Sequence, residues 1–358
     1  MQNPFKFGSV VEDANFTDRE QECIAARQLL DSLNHWVLIS PRRFGKTSLV
    51  KKVVYGLNRP VIYLDMQLVT DTTDFASQLL KHVLKIDRWE KLKRWISAFR
   101  VAPTISFNAA SDGMDVTFAP AANGSIATLE DVLSLVEKIG ASGPRPIVVF
   151  DEFQEIKNLH PNMDKQLRAM MQHHQHVSYV LLGSKESMMR DIFERKKSPF
   201  YHFGSLMQLK KIPRSDFLSF LETRLSQVAP GCRTLCELLL DVTDCHPYYT
   251  QQLAFYCWEW LKHNPYLPQL LNKVMEDQTS SYSHIYDQFW NTLNKTDQKV
   301  LIALATGGHP QAISAPQSTA YSSLRRLQQQ GFVVRNEGYE IDDPFFKRWI
   351  ELRRNMTL

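Results

Sequence analysis

Residues 40–49 read Ser-Pro-Arg-Arg-Phe-Gly-Lys-Thr-Ser-Leu. An apolar run from Trp36 to Ile39 precedes this stretch and residues with helical spacing follow it, so Gly45 and Lys46 lie where a strand passes into a helix. A phosphate-binding loop requires this context, because its backbone N–H groups converge on a phosphate at the start of the helix. The spacing matches G-x-x-x-x-G-K-S/T except that Ser40 replaces the first glycine. The stretch therefore predicts a nucleotide-binding loop; the alternative is a chance Gly-Lys-Thr that begins an ordinary helix.

The end of this loop and the end of a later strand carry the residue types that nucleotide hydrolysis needs. Lys46 would reach the β- and γ-phosphates, and the Thr47 hydroxyl would hold Mg²⁺. The apolar run 147–150 ends in Asp151 and Glu152. Asp151 would hold the metal through water, and Glu152 would polarise the attacking water, since in-line attack on a γ-phosphate needs little covalent help from a protein. The alternative is that the two acids only cap the next helix.

A serine and two arginines follow the next predicted strand. The strand at 178–182 leads into Gly183 and Ser184, and Ser184 is a candidate sensor of the γ-phosphate or, alternatively, a helix cap. Arg190 or Arg195 on the following helix could supply positive charge in the transition state, as could an arginine from a neighbouring subunit. The alternative for both arginines is an ordinary solvated position.

Length, charge and cysteine content limit the class of protein. A chain of 358 residues predicts two or three domains. Its formal charge of +4 permits an acidic partner such as a nucleotide or nucleic acid without requiring one. The five cysteines have no paired C-x-x-C spacing, which is typical of reduced thiols. No segment is apolar for the length of a bilayer and the N-terminus lacks a signal-peptide pattern, so we expect a cytoplasmic protein with no membrane partner.

Apolar strands alternate with amphipathic helices through the first two-thirds of the chain, which is typical of an α/β fold with a parallel sheet covered on both faces. The candidate strands are 36–39, 61–65, 147–150, 178–182 and 206–209. Strand signals stop near residue 212, and residues 214–281 predict only helices. We therefore expect a nucleotide-binding domain at 1–212, a helical lid at 213–281 and a separate C-terminal domain at 282–358.

Residues 85–125 exceed what an α/β crossover needs. They contain a basic helix around Trp95 and two alternating stretches, 104–107 and 116–118, on either side of a turn signal at 111–113. Alternation on both sides of a turn predicts a surface β-hairpin inserted into the nucleotide domain. A docking feature and a decorative insertion both remain open.

The C-terminal domain has the pattern of a winged helix. One helix, with Thr296 as a candidate cap, ends near residue 307; a second runs from Thr319 to Gly331, and two short alternating strands follow around an Asn-Glu-Gly turn. The predicted outward face of the second helix, which would contact DNA, carries Ser322, Ser323, Arg325, Arg326, Gln328 and Gln329. Glu337 and Glu340 in the wing repel a polyanion, so a packing module is the alternative to DNA binding.

Taken together, these motifs resemble the archaeal-type ATPases of the STAND and AAA+ groups of P-loop proteins over nearly the entire chain. The segments that carry the resemblance are Asn-Pro-Phe (3–5), Phe-Thr-Asp-Arg-Glu (16–20), the loop at 40–48, Asp-Glu-Phe-Gln-Glu (151–155), Leu-Gly-Ser (182–184), His-Pro-Tyr (246–248) and Asp-Pro-Phe-Phe (343–346). The Pro-Arg-Arg-Phe-Gly-Lys-Thr-Ser form of the loop looks particular to that family. The resemblance implies ATP and Mg²⁺ as ligands, a five-stranded sheet, a helical lid and a winged helix.

The resemblance also implies which residues contact the nucleotide. The loop residues concerned are Pro41, Arg42, Arg43, Phe44, Gly45, Lys46, Thr47 and Ser48. Phe16 and Arg19 would lie near the adenine, and the turn at His246 and Pro247 would contact the nucleotide from the lid. Members of the family often have Tyr-Gly-Arg after a Ser-Pro, whereas residues 201–203 here read Tyr-His-Phe. If that arginine normally contacts the γ-phosphate, this chain lacks it.

Two hypotheses of function follow. In the first, the chain is an ATP-hydrolysing molecular switch, in which Lys46, Thr47, Asp151 and Glu152 carry out the chemistry and lid closure passes the nucleotide state to the winged helix. In the second, it is a slow or inactive ATP-binding module whose main role is to hold DNA or a protein partner through the C-terminal domain. A kinase is disfavoured because no second-substrate site is visible and Glu152 suits water activation. The target and self-association remain open.

Overall fold

The computed structural model describes residues 2–11, 16–17, 19–108, 113–119, 124–308, 316–335 and 338–356. The chain divides into two compact units. The sheet unit comprises Arg19–Arg42 and Lys46–Lys210, and the helical unit comprises Met1–Asp18, Arg43–Gly45 and Lys211–Leu358. The chain therefore changes unit twice within the predicted phosphate loop.

A five-stranded parallel sheet forms the centre of the sheet unit. Its strands are β1 (Trp36–Ile39), β2 (Val61–Asp65), β5 (Ile147–Asp151), β6 (Ser178–Gly183) and β7 (Ser205–Gln208). Their spatial order is β2-β5-β6-β1-β7, and every neighbouring pair is parallel. Strands β1, β5 and β6 are buried along their whole length, which explains why they read as continuous apolar runs. The predicted α/β class and the five predicted strands are confirmed.

Eight helices are described in the sheet unit. They are α1 (Glu20–Asp31), α2 (Lys46–Tyr55), α3 (Thr72–Val83), α4 (Trp89–Ile96), α5 (Gly124–Ser142), α6 (Ile156–Leu159), α7 (Met163–Met171) and α8 (Glu186–Phe193). Asp71 caps α3 by accepting from the backbone N–H groups of Thr73 and Asp74. Helices and sheet share one core, to which Phe75 and Phe150 contribute. Helix α2 begins at Lys46, directly after the loop that follows β1.

The insertion contains the predicted hairpin. Strands β3 (Pro103–Asn108) and β4 (Gly113–Phe118) pair antiparallel, with Thr104 opposite Thr117. Val116 and Phe118 of β4 are buried in the core of the sheet unit. The first two residues of the predicted turn, 111 and 112, lie outside the described residues.

The helical unit contains helices throughout residues 214–281, as predicted, and helices with a short hairpin beyond them. Its elements are α9 (Arg214–Leu225), α10 (Arg233–Thr243), α11 (Pro247–Leu261), α12 (Leu270–Ser281), α13 (Ser283–Thr292), α14 (Lys295–Ala305), α15 (Gln317–Gln330), β8 (Val333–Arg335), β9 (Tyr339–Ile341) and α16 (Pro344–Met356). One continuous core joins the predicted lid to the C-terminal part, from Phe217 of α9 to Ile350 of α16. No helix of the described residues combines the length and the apolar character needed to cross a membrane.

Two expectations for the C-terminal part are wrong. Thr296 does not cap α14; the Asn294 side chain accepts from the N–H groups of residues 296 and 297, so the helix begins one residue before Thr296. Ser323 is fully buried and donates to Asp297, and Arg326 donates two hydrogen bonds to the same carboxylate. The predicted outward position is therefore wrong for Ser323, whereas the Arg326 side chain is 42% exposed and contacts Asp297 from the surface.

Candidate nucleotide-binding site

The phosphate loop follows β1 directly. Ser40 is fully buried; its backbone N–H donates to Gly183 O at 3.3 Å, and its hydroxyl donates to Pro41 O at 3.0 Å. The left-handed backbone of the loop falls at Arg43 (φ 66°) and Gly45 (φ 83°), and Ser40 is not among the described residues with positive φ. The replacement of the first glycine by serine is therefore accommodated without left-handed strain at Ser40.

Lys46 and Thr47 lie against the two acids at the end of β5. Lys46 Nζ is 2.6 Å from Glu152 Oε1 and 3.3 Å from Asp151 Oδ1. Thr47 Oγ1 donates to Asp151 Oδ2 at 3.2 Å. Lys46 is only 7% exposed, so both of its carboxylate contacts are partly shielded from water. The four residue types predicted for phosphate and metal are thus brought together in the sheet unit.

Glu152 is held by donors from three other residues. Ser184 donates to Glu152 Oε2 through its hydroxyl at 2.6 Å and its N–H at 3.1 Å, and Gln154 Nε2 donates to the same oxygen at 2.6 Å. Burial acts to raise the pKa of the Glu152 carboxyl, but the Lys46 ammonium and the hydrogen bonds from Lys46, Ser184 and Gln154 outweigh it and lower the pKa to about 2. Glu152 is therefore a carboxylate at neutral pH.

Gly183 makes room for this arrangement. A Cβ at Gly183 would come within 2.5 Å of Gln154 Oε1 and within 2.3 Å of Met189 Sδ. Gln154 is fully buried, so it has no alternative position in solvent. The glycine before Ser184 therefore allows the amide that orients Glu152 to approach β6.

Two residues of β2 that sequence reasoning missed belong to the same cluster. Tyr63 donates from its hydroxyl to Asp151 Oδ2, and Asp65 lies opposite Asp151 in the β2–β5 register. Burial raises the pKa of the Asp65 carboxyl, and the charges of Asp151 and Glu152 add to this effect. Asp65 could have been recognised from the sequence, because it is an acid at the carboxyl end of a predicted strand. Only the strand order shows that β2 is the neighbour of β5.

The oxygen groups of the site fit a magnesium ion. A hydroxyl from Thr47 and a carboxylate from Asp151 are hard oxygen ligands of the kind Mg²⁺ prefers. No group of three or more His, Cys, Asp or Glu side chains in the described residues could hold a metal ion. An ion held here would therefore also need phosphate and water oxygens, which is how Mg²⁺ is commonly bound beside a nucleotide.

The tip of the loop contacts α11 within the helical unit. The Arg43 guanidinium donates to Tyr249 Oη at 2.9 Å and lies 4.7 Å from the centre of the Tyr248 ring. Phe44 is buried and packs edge-on against His246, with ring centres 4.8 Å apart. His246 Nδ1 accepts from the Tyr248 N–H and caps α11, whose first residue is Pro247. Arg42 is exposed, Pro41 is half-buried and Ser48 is buried.

The two residues expected near the adenine lie in different units. Phe16 is half-buried in the helical unit. Arg19 belongs to the sheet unit, is 3% exposed, and donates to Glu22 Oε1 at 3.0 Å and to the Lys210 carbonyl. The Arg19 guanidinium is therefore held by the chain itself in this structure.

The candidate arginines lie on the surface with acidic partners. Arg190 contacts Glu194, one turn along, and Gln208 of β7. Arg195 contacts Asp191 and lies two residues beyond the end of α8, so its predicted place within that helix is wrong. Neither arginine contacts the carboxylate cluster in the described hydrogen bonds and ion pairs.

Two residues of the segment 198–203, Phe200 and Phe203, belong to the core of the sheet unit. Phe200 is fully buried, and its ring packs against Phe153, Phe193 and Phe203. His202, at the position of the glycine in Tyr-Gly-Arg, has a φ of 56°, a conformation that glycine adopts at no steric cost. Phe203, at the position of the arginine, stacks on His35 with ring centres 4.5 Å apart. His202 therefore keeps the backbone conformation that favours glycine, whereas Phe203 makes an aromatic contact in the core at the position where the family often has an arginine.

Residues 16–253 match the model of a protein family described as an ATPase domain predominantly from Archaea. The chain belongs to this family. It is therefore a nucleotide-binding ATPase, and the five-stranded sheet with its loop is a P-loop NTPase fold. The family resemblance predicted from the motifs is confirmed in this form. No curated protein matches the sequence.

Two solved structures are similar over almost their whole length. The Walker-type ATPase of Pyrococcus abyssi shares 17% identity with a TM-score of 0.65, covering 97% of this chain and 99% of that one. The ORC2 protein of Aeropyrum pernix, solved in ADPNP-ADP complexes, shares 15% identity with a TM-score of 0.54, covering 98% of each chain. At these identities the likeness shows a common fold.

Proposed function

We propose that this protein is a Mg²⁺-dependent ATPase that works as a nucleotide-driven switch with a winged-helix output. The observation that carries the proposal is the hydrogen-bonded cluster of Lys46, Thr47, Asp151, Glu152 and Ser184 at the ends of β1, β5 and β6. The cluster brings together an ammonium group that would bind phosphate, a hydroxyl and a carboxylate that would bind Mg²⁺, and the carboxylate of Glu152. The ORC2 protein, which has the same fold, was solved with ADPNP and ADP.

Each side chain has a distinct role in the proposed reaction. Lys46 would bind the β- and γ-phosphates, and Thr47 and Asp151 would hold Mg²⁺, which would supply positive charge next to the phosphate. Glu152 orients the attacking water as a hydrogen-bond acceptor, because its low pKa keeps it ionised. Ser184 keeps Glu152 in place and senses the γ-phosphate. Since Lys46 now contacts Glu152, phosphate binding would draw the ammonium away and leave Glu152 Oε1 for water.

The remaining proposed nucleotide contacts come from the loop and from residues 16, 19, 246 and 247. Pro41, Arg42 and the N–H groups of residues 43–48 would surround the phosphates. Phe16 and Arg19 would contact the adenine. His246 and Pro247, at the start of α11, would contact the nucleotide from the lid.

The contacts of the loop tip support the switch. Arg43 donates to Tyr249 of α11, and Phe44 packs against His246, the residue that caps this helix. Tyr249 in turn packs against Phe345 of α16, with ring centres 6.0 Å apart. A change in the loop upon phosphate binding would therefore act on α11 and, through it, on the C-terminal part.

The order α14, α15, β8, β9 and α16 supports a winged-helix output. Ser322, Arg325 and Gln329 of α15 are exposed and would be the DNA-contacting side chains. Glu340 of β9 is held by Lys211 at 2.8 Å, which partly neutralises the acid that would repel a polyanion. DNA is therefore a partner in this proposal, and a protein partner is the alternative.

Phosphate release by the purified protein tests the ATPase directly. We expect steady Mg²⁺-dependent release, which Glu152→Gln lowers at least about 100-fold while ATP binding stays within about threefold. A matched control is Glu155→Gln, since Glu155 lies beyond the cluster and pairs with Lys185. Release no faster than that of Glu152→Gln would favour the alternative, a slow or inactive ATP-binding module that acts through its C-terminal domain.

Two further measurements test the partners. Fluorescence anisotropy with labelled duplex DNA should show binding that weakens as salt rises and that Arg325→Ala reduces. The mass in solution with ATP tests self-association, because a neighbouring copy could supply the missing arginine. A monomer that hydrolyses ATP would exclude that source.

A further inference from the structure

Asp151 contacts four donor groups, three through hydrogen bonds and Lys46 through an ion pair, with two contacts on each carboxylate oxygen. Its Oδ1 accepts from the Glu152 N–H at 2.9 Å and lies 3.3 Å from Lys46 Nζ. Its Oδ2 accepts from Thr47 Oγ1 at 3.2 Å and from the Tyr63 hydroxyl. Three of these donors come from the phosphate loop or from the segment that carries the acid. Tyr63 is the donor from a different strand.

The sheet places Tyr63 on the same face as Asp151. Tyr63 lies opposite Val149, and Asp65 lies opposite Asp151, in the parallel register of β2 and β5. Alternate residues of a strand point to one face, so Tyr63 and Asp151 are diagonal neighbours on that face. A diagonal separation is too long for a serine or threonine, and an aromatic side chain spans it.

The Tyr63 hydroxyl is the donor of this contact, because an ionised carboxylate oxygen can only accept. Removal of the hydroxyl would leave Asp151 Oδ2 with Thr47 as its remaining described donor. The Asp151 carboxylate could then rotate about its terminal bond, because terminal sp³–sp² torsions have broad minima.

We propose that Tyr63 is a positioning residue that orients Asp151 toward Mg²⁺ beside the Thr47 hydroxyl. This inference rests on the proposed function and adds to it a residue that does not itself contact nucleotide or metal. Its effect must therefore appear in the Mg²⁺-dependent part of nucleotide binding and be absent from the Mg²⁺-independent part.

Binding of a fluorescent ADP analogue, with Mg²⁺ and with EDTA, tests the proposal in the full-length chain. In Tyr63→Phe the ring stays and the hydroxyl is removed. We expect affinity in EDTA to stay within about twofold, and the affinity gain produced by Mg²⁺ to fall about tenfold, the usual effect of losing a hydrogen bond to a charged group. Titration with Mn²⁺ followed by EPR should show the same loss of metal affinity in the ADP complex.

Two controls define the mechanism. Tyr55→Phe removes a hydroxyl from a tyrosine of α2 that is 59% exposed and should leave both affinities unchanged. In an Asp151→Asn background, Tyr63→Phe should have no additional effect, because its action passes through Asp151. If Tyr63→Phe unfolds, Tyr63→Leu, which also lacks the hydroxyl, replaces it.

An unchanged Mg²⁺ gain in a folded variant that lacks the hydroxyl would overturn the proposal. An equal loss of affinity in Mg²⁺ and in EDTA would overturn it too, because it would show a general effect on the loop. Failure of the proposed function looks different, since the wild-type chain would then release phosphate no faster than Glu152→Gln, while its ADP affinity in Mg²⁺ and in EDTA could still be measured.

Discussion

The two ends of the phosphate loop lie in contrasting surroundings. The loop base, Lys46 and Thr47, belongs to the sheet unit and faces the carboxylates Asp151 and Glu152. The loop tip, Arg43 to Gly45, belongs to the helical unit and contacts aromatic rings of α11. Ion pairs and hydrogen bonds to carboxylates hold the loop base, whereas contacts with aromatic rings and with the Tyr249 hydroxyl hold the loop tip.

Because of this difference, we expect the loop base to take part in the chemistry and the loop tip to pass a change of nucleotide state to the helical unit. The loop base carries groups that bind phosphate and metal, so changes there should act on affinity and rate. The loop tip carries groups that bind other parts of the chain, so changes there should act on how the helical unit responds. Charged, partly buried contacts lose more when one partner is removed than a cation on an exposed ring does. The effects should therefore be unequal.

The largest effect is expected at the loop base. Lys46→Ala removes the cation for the β- and γ-phosphates and leaves two carboxylates without it, so ATP affinity should fall about 100-fold or more. Isothermal titration calorimetry with Mg·ATP measures the change. The control is Lys52→Ala on the exposed face of the same helix, which should bind normally. Equal affinities for the two variants would show that Lys46 does not bind the phosphates.

Acidification should weaken the unit that carries the base. His35 accepts from the Tyr179 N–H and stacks on Phe203, and burial, with the charges of Arg168 and His174, lowers its pKa from 6.5 to about 4. The unfolded chain takes up this proton near pH 6.5 and the folded chain only near pH 4. The free energy of unfolding therefore falls as pH drops through this window, by up to roughly 3 kcal/mol.

Urea unfolding at pH 7 and at pH 4.5 measures this loss. In His35→Gln, an amide oxygen replaces the ring nitrogen as an uncharged acceptor for the Tyr179 N–H, so the part of the pH dependence due to His35 should disappear. His202→Gln is the matched control, because it makes the same replacement at a histidine whose side chain is exposed. A pH dependence identical in all three proteins would show that His35 does not titrate in this range.

The smallest effect is expected at the loop tip. Arg43→Ala and Tyr249→Phe each remove the 2.9 Å hydrogen bond, and a double-mutant cycle of unfolding free energies should give a coupling of about 1 kcal/mol. ATP binding should change little. Hydrogen exchange in α11 and α16, compared between ATP and ADP, should become insensitive to nucleotide in Arg43→Ala but not in the exposed control Lys52→Ala. Strictly additive effects would mean that the tip transmits nothing through Tyr249.

Much of the sheet unit was predictable because its signals are local. Strands β1, β5 and β6 are buried on both faces and read as apolar runs, and the loop at 40–49 has its spacing in the chain itself. The acids Asp151 and Glu152 were found because they follow such a run directly. Ser184 was found in the same way, and the structure adds that its partner is Glu152.

The errors and omissions have a common physical reason. Ser323 was placed outward from the helical period alone, but it is buried and donates to Asp297, which lies 26 residues earlier in the chain. Tyr63 and Asp65 were missed because their relevance depends on β2 lying beside β5, about 85 residues later in the chain. The cap of α14 is Asn294, two residues before the expected Thr296. Both side chains are polar and close in sequence, so only the backbone geometry shows which of them caps the helix.

The residues of the loop base, their order and the strand-to-helix context are readable from the chain, because phosphate binding demands a contiguous turn with fixed spacing. Tertiary structure decided which donors orient the acids, where Tyr63 reaches Asp151, and that Arg43 and Phe44 belong with α11. Those contacts join segments far apart in sequence, and their geometry depends on strand order and on packing that no local pattern encodes.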